Sequence, residues 1–127
     1  AQLSYACSLD LSREIAFPGG SSDLQAGQVR KLVDWYVELR DSAMGIADVS
    51  VYAYSVKGDA ASLALVTARV AAVTGLVRTL GQNSPASVRS RVSEGDADRA
   101  QQFPEVVVGV QPLCAATQTC CRELPQK

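Results

Sequence analysis

The chain has 127 residues, 47% hydrophobic and 20% charged, a composition that fits one folded domain rather than a disordered chain. Twelve basic and thirteen acidic residues are mixed along it, so the net charge is −1 and there is no basic stripe of the kind nucleic acid requires. Histidine is absent, which removes histidine triads, histidine general bases and the commonest zinc ligand together.

Residues 1–17 alternate. Cys7, Leu9 and Leu11 fall on one face, Ser8, Asp10 and Ser12 on the other, and Ile15 and Phe17 continue the pattern after Arg13-Glu14. The expectation is a strand or broken strand ended by Pro18-Gly19-Gly20. Ser22-Asp23-Leu24-Gln25 has capping-box form and predicts a helix to about Arg40. Its buried stripe would be Val29, Leu32, Val33, Tyr36 and Val37, with Trp35 and Leu39 towards one edge. Asp41 to Asp48 is a loop around Gly45.

The strongest signal is Val49–Leu80. Val49, Val51, Ala53 and Ser55 alternate with Ser50, Tyr52, Tyr54 and Val56, the period of a strand. Lys57-Gly58-Asp59 breaks the pattern, with Gly58 in a turn and Asp59 as helix N-cap. Leu63, Val66, Val70, Val73, Val77 and Leu80 then recur at spacings of three and four, and Gly81 ends the helix. This helix carries Arg69 and Arg78, and no apolar run reaches the roughly 20 residues that span a bilayer. Val88, Ser90 and Val92 alternate with Arg89 and Arg91, a short strand with one charged face, and Ser93–Gln102 is polar without periodicity. Val106–Val110, between Pro104 and Pro112, reads as a strand buried on both faces. The order strand-helix-strand-helix-strand-strand predicts an α+β fold, a mixed four-stranded sheet with two helices packed on one face. Residues 1–127 form a single domain in which 113–127 is an irregular tail.

The tail holds Cys114, Cys120 and Cys121, and Cys7 lies near the start. An even number of cysteines at the two ends of a small domain points to disulfides in an oxidising compartment. A cysteine metal site is the competing reading, but the C-x5-CC spacing matches no common zinc pattern. The expected bridges join Cys7 to one of the adjacent pair and Cys114 to the other, tying the tail to the N-terminal segment. Closing a loop of about a hundred residues would add roughly 4–5 kcal/mol, less any strain. The chain begins at Ala1 without a methionine, as a mature chain trimmed of a signal peptide would, and as any shortened chain would.

Several local patterns resemble the C-terminal OmpA-like domain of cell-envelope proteins over roughly residues 13–112. Ile15–Arg40 is similar to its opening of apolar strand, polar turn and capped helix. Ala53-Tyr54-Ser55-Val56 stands where the family has Gly-Tyr-Thr-Asp, and Leu65–Val73 resembles its Leu-Ser-x-x-Arg-Ala-x-x-Val helix. The resemblance implies a periplasmic, peptidoglycan-associating module, in which an Asp and the helix Arg grip the amine and carboxylate of a diaminopimelate unit. The Arg maps onto Arg69. The Asp position is Val56, which cannot accept a bond from an ammonium group, so half of the clamp is missing. Asp59 is either a substitute carboxylate or simply the N-cap. The family's Arg-Arg pair before the last strand is absent, since Phe103-Pro104-Glu105 stands there.

Arg69, Asp59 and Tyr54 are therefore the candidate ligand-binding residues. For Arg69 the bland alternative is a solvated arginine paired with Asp59 or Glu94; for Tyr52 and Tyr54 it is core packing with wet hydroxyls. Arg89, Arg91 and Arg99 against Glu94, Asp96 and Asp98 form a charged rim or an ordinary solvated face. Asp96 and Asp98 lack the further ligands of a calcium loop, and Ser55-Val56-Lys57 is too tight for Ser-Lys catalysis. Cys120-Cys121 reads as structural rather than reactive. No cofactor and no catalytic set is expected. The expected function is a non-catalytic periplasmic binding module of the cell envelope, with peptidoglycan as ligand. The alternative is an immunity protein that binds a secreted toxin through an exposed patch, at Trp35 or the Arg89–Arg99 strip.

Overall fold

The computed structural model describes residues 11–42, 45–81, 87–96, 98, 100 and 105–113. The elements are β1 (Leu11–Ile15), α1 (Ala26–Arg40), β2 (Asp48–Val56), α2 (Ala60–Leu80), β3 (Ser87–Gly95) and β4 (Val106–Gln111). The predicted α+β arrangement is what forms: one mixed four-stranded sheet in the order β1-β4-β2-β3. β2 and β3 run parallel, joined through α2, while β4 is antiparallel to both β1 and β2. The last of the described strands thus sits inside the sheet.

Strand alternation decides which side chains meet the helices. Val49, Val51, Ala53 and Ser55 of β2 are buried, as are Val106, Val108 and Val110 of β4 and Ile15 of β1. They form one core with Leu32, Trp35, Tyr36 and Leu39 of α1 and Val70, Val73 and Val77 of α2. Both helices therefore lie on the same face. Val107 and Gly109 are only partly covered, so β4 is buried on one face rather than two. β3 is longer than the alternation of Val88–Val92 suggests, because Ser93, Glu94 and Gly95 continue its pairing with β2.

The helix ends separate a strong cap from a weak one. Asp59 caps α2, its Oδ1 accepting from the Ser62 N–H at 3.0 Å, after a turn in which Gly58 takes φ 81°. The expected capping box does not close α1. Its N-cap is Gln25, whose side chain makes no capping bond; Ser21 Oγ accepts the Asp23 N–H, and the Gln25 side-chain amide donates to Asp23 O. The N-cap moves three residues towards the C-terminus, from Ser22 to Gln25. The buried stripe of α1 turns with it, to Leu32, Trp35, Tyr36 and Leu39, leaving Val29, Val33 and Val37 half-buried.

Where the helices meet, Tyr36 is wholly buried and a Cβ on Gly81 would stand 2.9 Å from its hydroxyl oxygen. That close approach, rather than a left-handed backbone, explains the glycine at the end of α2. Burial pushes the Tyr36 phenol pKa up, partly opposed by Arg40. By length and mean hydropathy of 1.8, α2 would also suit a membrane crossing. In this fold Val70, Val73, Thr74 and Val77 pack inward, and Arg69 at mid-helix is tied to a loop.

Candidate functional site

Arg69 projects from α2 onto the loop between β1 and α1. Its Nε donates to Ser21 O at 2.7 Å and its Nη2 to Pro18 O at 2.9 Å. The guanidinium also lies 5.2 Å from the centre of the Phe17 ring. The Nε–Nη2 edge is one of those by which an arginine holds a carboxylate bidentately. Here two backbone carbonyls occupy it. Neither Asp59 nor Glu94 is its partner in these bonds, and the arginine works as a staple for the loop.

Asp59 is engaged at the other end of the helix turn. Besides its cap to Ser62, its own N–H donates to Val56 O at 3.1 Å, while Ser62 Oγ accepts the Val56 N–H at 2.9 Å. The backbone of Val56 is thus closed into a local ring of hydrogen bonds with Asp59 and Ser62. Ten residues of helix separate Asp59 from Arg69, about 15 Å along the axis. The structure does not bring the two together on a shared site.

Tyr54 lies elsewhere, on the face of the sheet that the helices leave open. Strand register places Ser12, Gly109, Ser50 and Arg89 in one row across that face, and Glu14, Val107, Tyr52 and Arg91 in the next. Tyr54 follows opposite Ser93. Tyr52 and Tyr54 are half-buried here rather than in the core. Arg91 stacks 5.8 Å from the centre of the Tyr52 ring.

Three depressions surround Tyr52. One of about 510 Å³ is lined by Ser50, Tyr52, Arg89 and Arg91, and one of about 330 Å³ by Asp48, Ser50, Tyr52, Arg89 and Gln111. The third, about 270 Å³, is lined by Ser12, Glu14, Tyr52, Tyr54, Glu105 and Val107. Charge is divided across them. Arg89 and Arg91 stand at the β3 edge, and Glu14 and Glu105 on the β1 side. Partial burial and then the negative charge and hydrogen bond of Glu14 push the Glu105 carboxyl pKa up, against the pull of Lys31. Asp48 is held by a hydrogen bond from the Ser87 hydroxyl. Such a face can hold an extended or planar partner against tyrosine and arginine.

Trp35 offers no exposed patch, because it is 8% exposed and Arg13 covers it at 5.1 Å. Cys7, Cys114, Cys120, Cys121 and Arg99 lie outside the described residues. The Glu14–Glu105 pair and the row from Glu14 to Arg91 were missed by sequence reasoning. Their only signal is the pairing of β4 with both β1 and β2, which no local pattern announces. The chain matches no protein family and no curated protein.

Proposed function

We propose that the chain is a non-catalytic binding module of the bacterial cell envelope, OmpA-like in architecture, whose partner is a protein rather than peptidoglycan. The observation that carries this is the position of Arg69. In the clamp implied by the resemblance its guanidinium holds a ligand carboxylate, whereas here it holds Pro18 O and Ser21 O. Val56 supplies no carboxylate, and Asp59 spends its own on the helix cap. The clamp has become part of the scaffold. Cysteines near both ends of the chain favour an oxidising compartment such as the periplasm, and the absence of histidine argues against histidine-dependent hydrolysis. A secreted toxin, with this chain as its immunity protein, is the concrete form of the partner.

The test is co-sedimentation of oxidised protein with insoluble peptidoglycan sacculi, with Arg69→Ala and Arg69→Lys alongside. The expected result is no retention above a non-binding control in any of the three. Retention of the unmodified chain that is lost in Arg69→Ala and kept in Arg69→Lys would restore peptidoglycan as the ligand.

A further inference from the structure

β3 is an edge strand, and its backbone direction can be read from its two ends. Ser87 N–H donates inward to Ala47 O, and Gly95 O accepts inward from the Lys57 N–H. In a parallel pair both polar groups of a residue point to the same side, and the side alternates along the strand. The inward set is therefore residues 87, 89, 91, 93 and 95. The N–H and C=O groups of Val88, Ser90, Val92 and Glu94 face outward, and among the described residues no strand pairs with them. Nine residues of extended backbone without a proline form a template for an added strand.

The side chains specify what the added strand must carry. Arg89 and Arg91 are exposed on the open face, two residues apart. Directly opposed side chains on neighbouring strands stand about 4.5–5.5 Å apart at Cβ, so each arginine would meet one residue of the incoming strand. On the helix side Val88 and Val92 are half-buried against the core, with exposed Ser90 between them. A second copy of the chain centred on Ser90 or Arg91 in antiparallel pairing would set arginine against arginine, and an acidic strand avoids that repulsion.

We propose that the outer edge of β3 binds an extended, acidic segment of a partner protein by strand addition, with the pattern apolar–acidic–any–acidic–apolar opposite Val88 to Val92. The pattern is the same read in either direction, so parallel and antiparallel docking both satisfy it. This rests on the protein-binding reading above and supplies the chemistry of the partner.

The probe is a blocked heptapeptide with a Val-Glu-Thr-Glu-Val centre, beside a control carrying Lys for both Glu, titrated by calorimetry and followed by amide hydrogen exchange. Expected are binding of the acidic peptide alone and slowed exchange at Val88, Ser90, Val92 and Glu94, with little change at Arg89 and Arg91. The double variant Arg89→Glu/Arg91→Glu should weaken the acidic peptide at least tenfold and take up the lysine peptide. Ser90→Pro removes an outward N–H without touching the inward ladder, and should abolish binding in a protein whose melting temperature is nearly unchanged. Equal binding of both peptides, no binding, or protection confined to residues away from β3 would overturn strand addition here. Those results leave the broader reading intact, since that one falls only if sacculi retain the protein through Arg69.

Discussion

The two faces of the sheet are built from the same strands, one residue out of phase, and they solve different problems. Towards the helices β2 presents Val49, Val51, Ala53 and Ser55, all buried, with Val88, Val92, Val108 and Val110 beside them in register and the exposed Ser90 and Glu94 as polar neighbours on β3. Away from them it presents Ser50, Tyr52 and Tyr54, half-buried between two arginines and two glutamates. The covered face has been filled. The open face has been left with aromatic surface and unlike charges. Stability and recognition are thereby separated by the pleat of a strand, and a substitution on one side need not register on the other.

The sharpest way to break that separation is to change neighbours. Val51→Asp buries an unpaired carboxylate and should cost more than about 4 kcal/mol, enough to unfold the domain. Tyr52→Ser, one residue on, should cost about 1 kcal/mol, read as a modest shift in the urea midpoint. Comparable losses from both would mean that the open face is structural. Next in size is Arg69→Ala, which releases the loop before α1 and should destabilise by about 1–3 kcal/mol. Its exchange signature would be faster amides around Ser21 rather than throughout α2, and a uniform change would count against the staple.

Smaller effects probe the helix contact and the carboxyl pair. Gly81→Ala drives a methyl into the Tyr36 hydroxyl and should cost about 1–3 kcal/mol, a penalty that shrinks in a Tyr36→Phe background. Tyr36→Phe alone should be neutral or stabilising by up to about 1 kcal/mol, because the buried hydroxyl has no hydrogen-bond partner among the described residues. The smallest effect is expected at Glu105. Its pKa is raised in the folded chain, so folding favours the protonated form and the wild type loses stability as pH climbs past the ordinary glutamate value of 4.5. Glu105→Gln should be slightly more stable at neutral pH and no different in acid. A gap that widened in acid instead would refute the sign.

Where local chemistry decided an outcome, the residues announced it. Asp59, Gly58 and the three-four spacing from Val66 to Val77 specify turn, cap and helix within a few positions, and α2 forms as they imply. The charged face of β3 was equally plain. At α1 the Ser22–Gln25 box lost to a loop in which Ser21 and Gln25 bond to Asp23, and the helix rotated to bury Trp35. The loop that Arg69 holds lies 48 residues away in sequence, which no spacing rule connects. Two tyrosines on one strand face suggest either core or binding surface. Only the placement of both helices on the opposite face decides between them.

The seat of β4 has a consequence for how the chain is made. During synthesis β1, α1, β2, α2 and β3 emerge first, yet β1 has no neighbour in the sheet until residues 106–111 arrive to lie between it and β2. Val106, Val108 and Val110 are also the last part of the described core to appear. The chain can close the parallel pair of β2 and β3 across α2, but β1 must wait for β4. Such long-range closure slows folding and prolongs the exposure of apolar strand surface. The domain is therefore expected to fold only once residue 111 is free to join the sheet, and chains truncated before Val106 should be open to protease along β1.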